Sequence, residues 1–184
     1  PTTLASVVAW SGVGLLAGSL PAGVVADRLP HRSILVGVVA LNLTVATVTS
    51  TAATTGTVSF WMLGLSAFII GASTAFFFPA YTALVPVLVA ADDLMAVNGL
   101  EGATRPLVGQ ALAPAVVGAV IGATMPAAGG YVIAASLGIA LVAALRLPEP
   151  APTTTQADSP ATSPVRDLID GFGYVARTRW IRSS

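Results

Sequence analysis

The sequence predicts an all-α fold, a polytopic bundle of transmembrane helices with five spans. Of its 184 residues, 55% are hydrophobic and 9% are charged, whereas a soluble domain carries about 25% charged residues. Mean hydropathy is +0.85. Three long stretches, residues 4–26, 33–91 and 106–145, contain no charge at all, and a run of ~20 apolar residues is enough to cross a ~30 Å hydrocarbon core.

The first span covers residues 4–26. Within it Gly14, Gly18 and Ala22 recur every fourth residue, a small-residue stripe that predicts close contact with another helix, and Pro21 predicts a bend. The run 33–91 is too long for one helix. It breaks at the small polar stretch 49–56, leaving spans at 34–48 and 58–78, after which Pro79, Pro86, Asp92 and Asp93 mark a second charged turn. Asn42-Leu43-Thr44 matches a glycosylation sequon but lies inside a span, where it is inert. The run 106–145 breaks at Met125-Pro-Ala-Ala-Gly-Gly130, which predicts spans at 97–124 and 131–145. Residues 1–147 thus form the membrane bundle. Residues 148–164, rich in Pro, Thr, Ala and Ser, read as a disordered linker. In 165–184, Val165, Leu168, Ile169, Phe172, Val175 and Ile181 recur at helical spacing, which predicts an amphipathic helix on the membrane surface. The chain starts at Pro1 with no initiator Met and no signal-peptide pattern, so it reads as a fragment or an internal start.

Charge and composition exclude several function classes. Formal net charge is zero, which gives no argument for a nucleic-acid partner, and with no cysteine and a single histidine no cofactor or metal site is expected. With five alternating spans, the turn holding Arg28, His31 and Arg32, the Asp92-Asp93 turn and the tail from Arg146 share one side. The opposite side (1–3, 49–56, 125–130) has neither Lys nor Arg. The positive-inside rule places the arginine side in the cytoplasm of a multi-pass protein of the cell membrane.

Four groups of residues stand out. Residues 23–32 read Gly-Val-Val-Ala-Asp-Arg-Leu-Pro-His-Arg. Arg28 and Arg32 can pair with Asp27, and a carboxylate at a helix end can cap the positive N-terminus of another helix. Such a contact, made in one state and broken in another, is a latch; the same arginines also serve as positive-inside anchors. Glu101 and Arg105 are spaced i, i+4, with Asn98 on the same helix face. An ionisable group within a span usually faces a cavity or a partner, and a protonatable Glu suits proton coupling. Against this, residues 106–123 alone give about 27 Å of helix at 1.5 Å per residue, so the pair also fits the cytoplasmic interface. The fourth span further carries Gly109, Ala113, Pro114, Val117, Gly118 and Gly122, a bend with small residues for close packing. Trp10, Trp61, Phe76, Phe77 and Tyr81 are candidates for cavity walls or for interface and packing positions.

The spacing of Gly23, Asp27, Arg28 and Arg32 resembles the turn between the second and third helices of the major facilitator superfamily, Gly-x-x-x-Asp-[Arg/Lys]-x-Gly-[Arg/Lys]-[Arg/Lys], with Pro30 in place of the second glycine and His31 at a usually basic position. Phe77-Phe78-Pro79-Ala80-Tyr81, Leu84-Val85-Pro86 and Ala96-Val97-Asn98-Gly99-Leu100 look like its drug-efflux and secretion-effector branch. Arg166-Asp167-Leu168 and Arg177-Thr178-Arg179-Trp180 resemble the segment before its seventh helix. The run from Gly109 to Gly122 resembles the antiporter signature of its fifth helix, with Ala113 and Val117 replacing glycines. Many proton-coupled members carry Arg-x-x-Gln-Gly on helix four; here Ala67 and Ile70 stand at the Arg and Gln positions before Gly71.

The resemblance implies helices two to six of a twelve-helix facilitator whose halves rock about a central site. It implies secondary active transport rather than enzymatic catalysis: proton-coupled efflux of lipophilic small molecules or secondary metabolites from the cell. Its partners would be the lipid bilayer, the small-molecule substrate and a second half of the transporter. Two alternatives stand beside it, a lipid or lysolipid flippase on the same fold and a truncated, non-transporting membrane fragment. Five helices alone are expected to leave the Gly14-Gly18-Ala22 face unpaired, and so not to transport.

Overall fold

In a computed structural model, residues 2–148 are described. Helix α1 (Thr2–Arg28) is followed by α2 (His31–Thr55) and α3 (Phe60–Leu88). A 3₁₀ turn at Ala91–Asp93 leads into α4 (Leu94–Pro106), a π-helical turn at Leu107–Leu112, α5 (Ala113–Ala123) and α6 (Pro126–Arg146). Among the described residues there is no strand. Five helical runs are long and apolar enough to cross a membrane, the fourth being Ala91–Ala123, which joins α4, the π turn and α5. The all-helical polytopic architecture expected from the sequence is the one observed. Nearly all of the expected linker and the whole amphipathic segment 165–184 lie outside the described residues.

Local chemistry sets the helix ends. Pro30 separates α1 from α2; it has the extended backbone of an N-cap, and its carbonyl accepts the first α2 bond from the Ile34 N–H at 3.2 Å. Gly56 closes α2 in the left-handed region (φ 70°), with its N–H returning to the Ala52 carbonyl, a conformation glycine adopts without a Cβ penalty. Ser59 opens α3 by accepting from the Met62 N–H at 3.2 Å.

Two helices run past the apolar spans that hydropathy marks. α2 continues through the polar stretch to Thr55 because its hydroxyls are absorbed by carbonyls of the preceding turn, as with Thr47 to Leu43 at 2.8 Å and Thr51 to Thr47 at 2.8 Å. α3 continues through Pro79 and Pro86 to Leu88. Each proline removes one ladder bond, and a membrane helix tolerates that loss when hydroxyls and neighbouring helices stand nearby; Thr82 lies between the two prolines and donates to the Phe78 carbonyl at 2.9 Å.

Packing follows the small residues. α1 and α3 run parallel, since Trp10 meets Gly64, Gly14 meets Phe68 and Gly18 meets Ala72 and Ala75. A Cβ on Gly14 would overlap the Phe68 carbonyl, and one on Gly71 would overlap the Ser11 carbonyl. Such close backbone approach substitutes for the hydrophobic effect, which drives no association between helices in lipid. The Gly14-Gly18-Ala22 face is therefore not left open by the five helices. It is covered by α3, whose own small residues Gly71, Ala72 and Ala75 complement it, and Ala22 is buried. That complementarity spans two helices and is invisible from the first span alone.

α2 lies between α3 and α6 and runs antiparallel to both. Towards the arginine end, Ile34, Leu35, Ala80 and Leu84 form a buried cluster flanked by Val25, Val38, Phe77 and Tyr81. Towards the other end, Ser50 presses on Gly130, and Thr49 and Ser66 share a 2.9 Å hydrogen bond. The α4–α5 run packs on the bundle mainly where α5 meets α6 and reaches α3 through Arg105 on Phe78, and none of its residues is buried.

Candidate functional site: an ion pair on an aromatic face

The best-formed polar cluster joins α4 to α3. Glu101 and Arg105 form an ion pair one turn apart on α4. The Arg105 guanidinium also stands over the ring of Phe78 on α3, 5.1 Å from its centroid, a cation–π contact. One turn further along α3, Tyr81 lies near the Glu101 carboxylate. Its ring stacks on Phe77 with centroids 5.8 Å apart and planes at 9°. Phe77 and Tyr81 in turn pack against the Ile34–Leu35–Ala80–Leu84 cluster, so a rigid apolar core positions the hydroxyl. Glu101 retains 26% side-chain exposure and Arg105 retains 53%.

Three of these residues escape a sequence reading of the pair. Asn98, expected beside Glu101, is exposed and does not enter the cluster among the described contacts. Tyr81, Phe78 and Phe77 do enter it. They sit about twenty residues earlier in the chain, and only the turn between α3 and α4 brings them opposite Glu101 and Arg105. An aromatic run followed by an i, i+4 ion pair is the one signal that pointed there.

The turn at residues 23–32 is built differently from a simple cluster of charges. Gly23 has open space where a side chain would stand, Arg28 closes α1, and the side chain of Asp27 lies outside what is described. Arg32 donates through Nη2 to the carbonyl of Leu145, 2.6 Å away at the C-terminal end of α6. Its cation thus caps an orphan carbonyl at the negative end of that helix dipole and ties the start of α2 to the end of α6.

The segment resembling an antiporter signature carries a helical defect. Gly109 lies in the π turn, and Pro114 and Gly118 lie in α5. Pro106 and Pro114 bracket the defect, and the Ala113 N–H reaches back five residues to the Val108 carbonyl. Pro114 has no N–H to offer and its ring excludes the carbonyl four residues back, so the helix widens ahead of it. A Cβ at Gly109, Gly118 or Gly122 would meet nothing within 4 Å, so among the described residues no helix approaches this face.

At the far end of the bundle, Trp10, Trp61, Leu65 and Phe68 line an apolar hollow of about 390 Å³. The Trp10 and Phe68 rings meet edge-on with centroids 6.5 Å apart. Among the described residues no group of acids and histidines is arranged to hold a metal.

The sequence comparisons agree with this architecture. The family model described as transmembrane secretion effector matches residues 1–184. No curated protein and no solved structure matches the chain. Five apolar helices, small-residue packing between them and a family match over the full sequence lead to one conclusion: the chain belongs to the transmembrane secretion effectors of the major facilitator superfamily, a family of multi-pass membrane transporters.

Proposed function

We propose that this protein takes part in proton-coupled efflux of lipophilic small molecules by alternating access, with Glu101 as the proton-carrying group. The Glu101–Arg105 pair seated between Tyr81 and Phe78 is the observation that supports this most strongly. When a proton binds the Glu101 carboxylate, the charge attraction to Arg105 is lost and the guanidinium keeps only its contact with the Phe78 face. Loss of the proton restores the pair. The two states differ in how firmly α4 is held to α3, and α4 is joined through the π turn to α5, so protonation acts on a helix that already carries a point of weakness. The apolar hollow at Trp10, Trp61, Leu65 and Phe68 suits a lipophilic substrate.

In the same reading, Gly23, Asp27, Arg28 and Arg32 form the conformational latch, with Asp27 engaging a helix of the second half while Arg32 secures α6. Gly109, Pro114 and Gly118 provide the bent, small-residue face for a neighbouring helix. The arginine end lies in the cytoplasm and the bilayer is the cell membrane.

The test is dye efflux from cells or vesicles carrying the intact protein under an imposed pH gradient. Glu101→Gln is expected to remove the response to the gradient while membrane abundance stays unchanged. A normal gradient response in that variant would overturn the assignment and leave Glu101 as an interfacial anchor.

A further inference from the structure

Two levels of contact between α2 and α3 stand fourteen residues apart along each helix. Leu35 and Ala80 belong to the same buried cluster near the arginine end, and Thr49 and Ser66 hydrogen bond at 2.9 Å near the other end. The two helices are antiparallel, so stepping seven residues from either pair leads to Asn42 opposite Ser73. Both lie close to the middle of their helices, His31–Thr55 and Phe60–Leu88, and hence near the centre of the bilayer.

At that level two polar atoms are buried among the described residues without a hydrogen-bond partner, Asn42 Oδ1 and Ser73 Oγ. Ser73 as a whole is only 4% exposed. On the same helix the hydroxyls of Thr74 and Thr82 donate to carbonyls one turn back, at 2.9 Å each, whereas the Ser73 hydroxyl does not. The Asn42 amide orientation is set by its own donor, since Nδ2 donates to the Val38 carbonyl at 3.0 Å. The atom beside it is therefore the acceptor Oδ1, and the facing Ser73 is a donor. In hydrocarbon, two such groups left unsatisfied are costly, and they are chemically complementary.

We propose that Asn42 and Ser73 form a binding site for a single water molecule at the centre of the α2–α3 interface. The water donates one hydrogen bond to Asn42 Oδ1 and accepts one from the Ser73 hydroxyl, the minimum of two polar partners a buried water requires. The interface then has three levels: an apolar contact at 35 and 80, a bridged polar contact at 42 and 73, and a direct hydroxyl pair at 49 and 66. Together they set the register of α2 against α3.

The sign of a stability change tests the site. If Ser73 Oγ has no partner in the membrane, Ser73→Ala relieves a burial cost and raises the melting temperature; if it holds the water, the change lowers it. We expect Ser73→Ala and Asn42→Leu each to lower Tm of the intact protein in lipid nanodiscs by ~2–4 °C. The double variant, with no polar group left to orphan, is expected to be no less stable than the weaker single variant. Single variants of unchanged or higher Tm, or losses that add in the double variant, would overturn the proposal. An experimental map of the intact protein is expected to show density within hydrogen-bond distance of both atoms. Ser73 bonded directly to Asn42 there would overturn the water assignment.

Discussion

Placing a methyl group on Gly71 tests how α1 and α3 are held together. In a helix interior, replacing glycine by alanine is worth up to about 1 kcal/mol in favour of the alanine variant when nothing else changes. At Gly37 in α2, where a Cβ would meet nothing within 4 Å, that gain should appear in full. At Gly71 the same Cβ would overlap the Ser11 carbonyl oxygen and stand 2.7 Å from its carbon and 2.9 Å from its Cα, all backbone atoms that cannot rotate away. Ordinary contact begins near 3.4 Å, so α1 must retreat by roughly 0.7 Å or more, loosening the Gly14–Phe68 and Gly18–Ala72 contacts with it. Overpacking of this kind costs about 1–3 kcal/mol, and because packing rather than hydrophobicity holds membrane helices together, little offsets it. Gly71→Ala should therefore lose stability on balance while Gly37→Ala gains it. At ~2–4 °C of Tm per kcal/mol for a chain of this size, the two variants should differ by several degrees when unfolding is followed by tryptophan fluorescence in nanodiscs. Equal melting temperatures would refute the parallel α1–α3 contact.

Other consequences are open to simpler measurements. Tyr81→Phe keeps the stack on Phe77 but removes the hydroxyl that faces Glu101; gradient-driven efflux should weaken with protein abundance unchanged, and wild-type efflux would leave Tyr81 as a packing residue. Arg32→Met should free the Leu145 carbonyl and cost about 1 kcal/mol of stability, read as a lower Tm and faster hydrogen exchange at the end of α6, with Arg32→Lys falling between. Asp27→Asn should abolish efflux at normal membrane abundance; unchanged transport would remove the latch.

The character of the fold was legible because a bilayer imposes it. Uncharged runs of spanning length with charged knots between them have few alternatives in hydrocarbon, where every backbone group must be satisfied within its own helix. Helix ends were less legible, for two reasons. The polar stretch after Val48 reads as a break, but its threonines satisfy themselves on the preceding turn and α2 continues to Thr55. Pro79 reads as a stop, yet α3 carries it and Pro86 to Leu88.

Sequence alone determined the class, the family resemblance, the segregation of arginine to one end and the local pair of Glu101 with Arg105. These are properties of composition or of neighbours one helical turn apart. Tertiary structure decided which helix covers Gly14 and Gly18, that Arg32 reaches the last turn of α6, and that Phe78 and Tyr81 frame the ion pair. The facing of Asn42 and Ser73 that we infer likewise depends on how α2 lies against α3. The physical reason is the same in each case: a helix surface presents several faces of similar chemistry, and only the packing of one helix on another selects which of them meet.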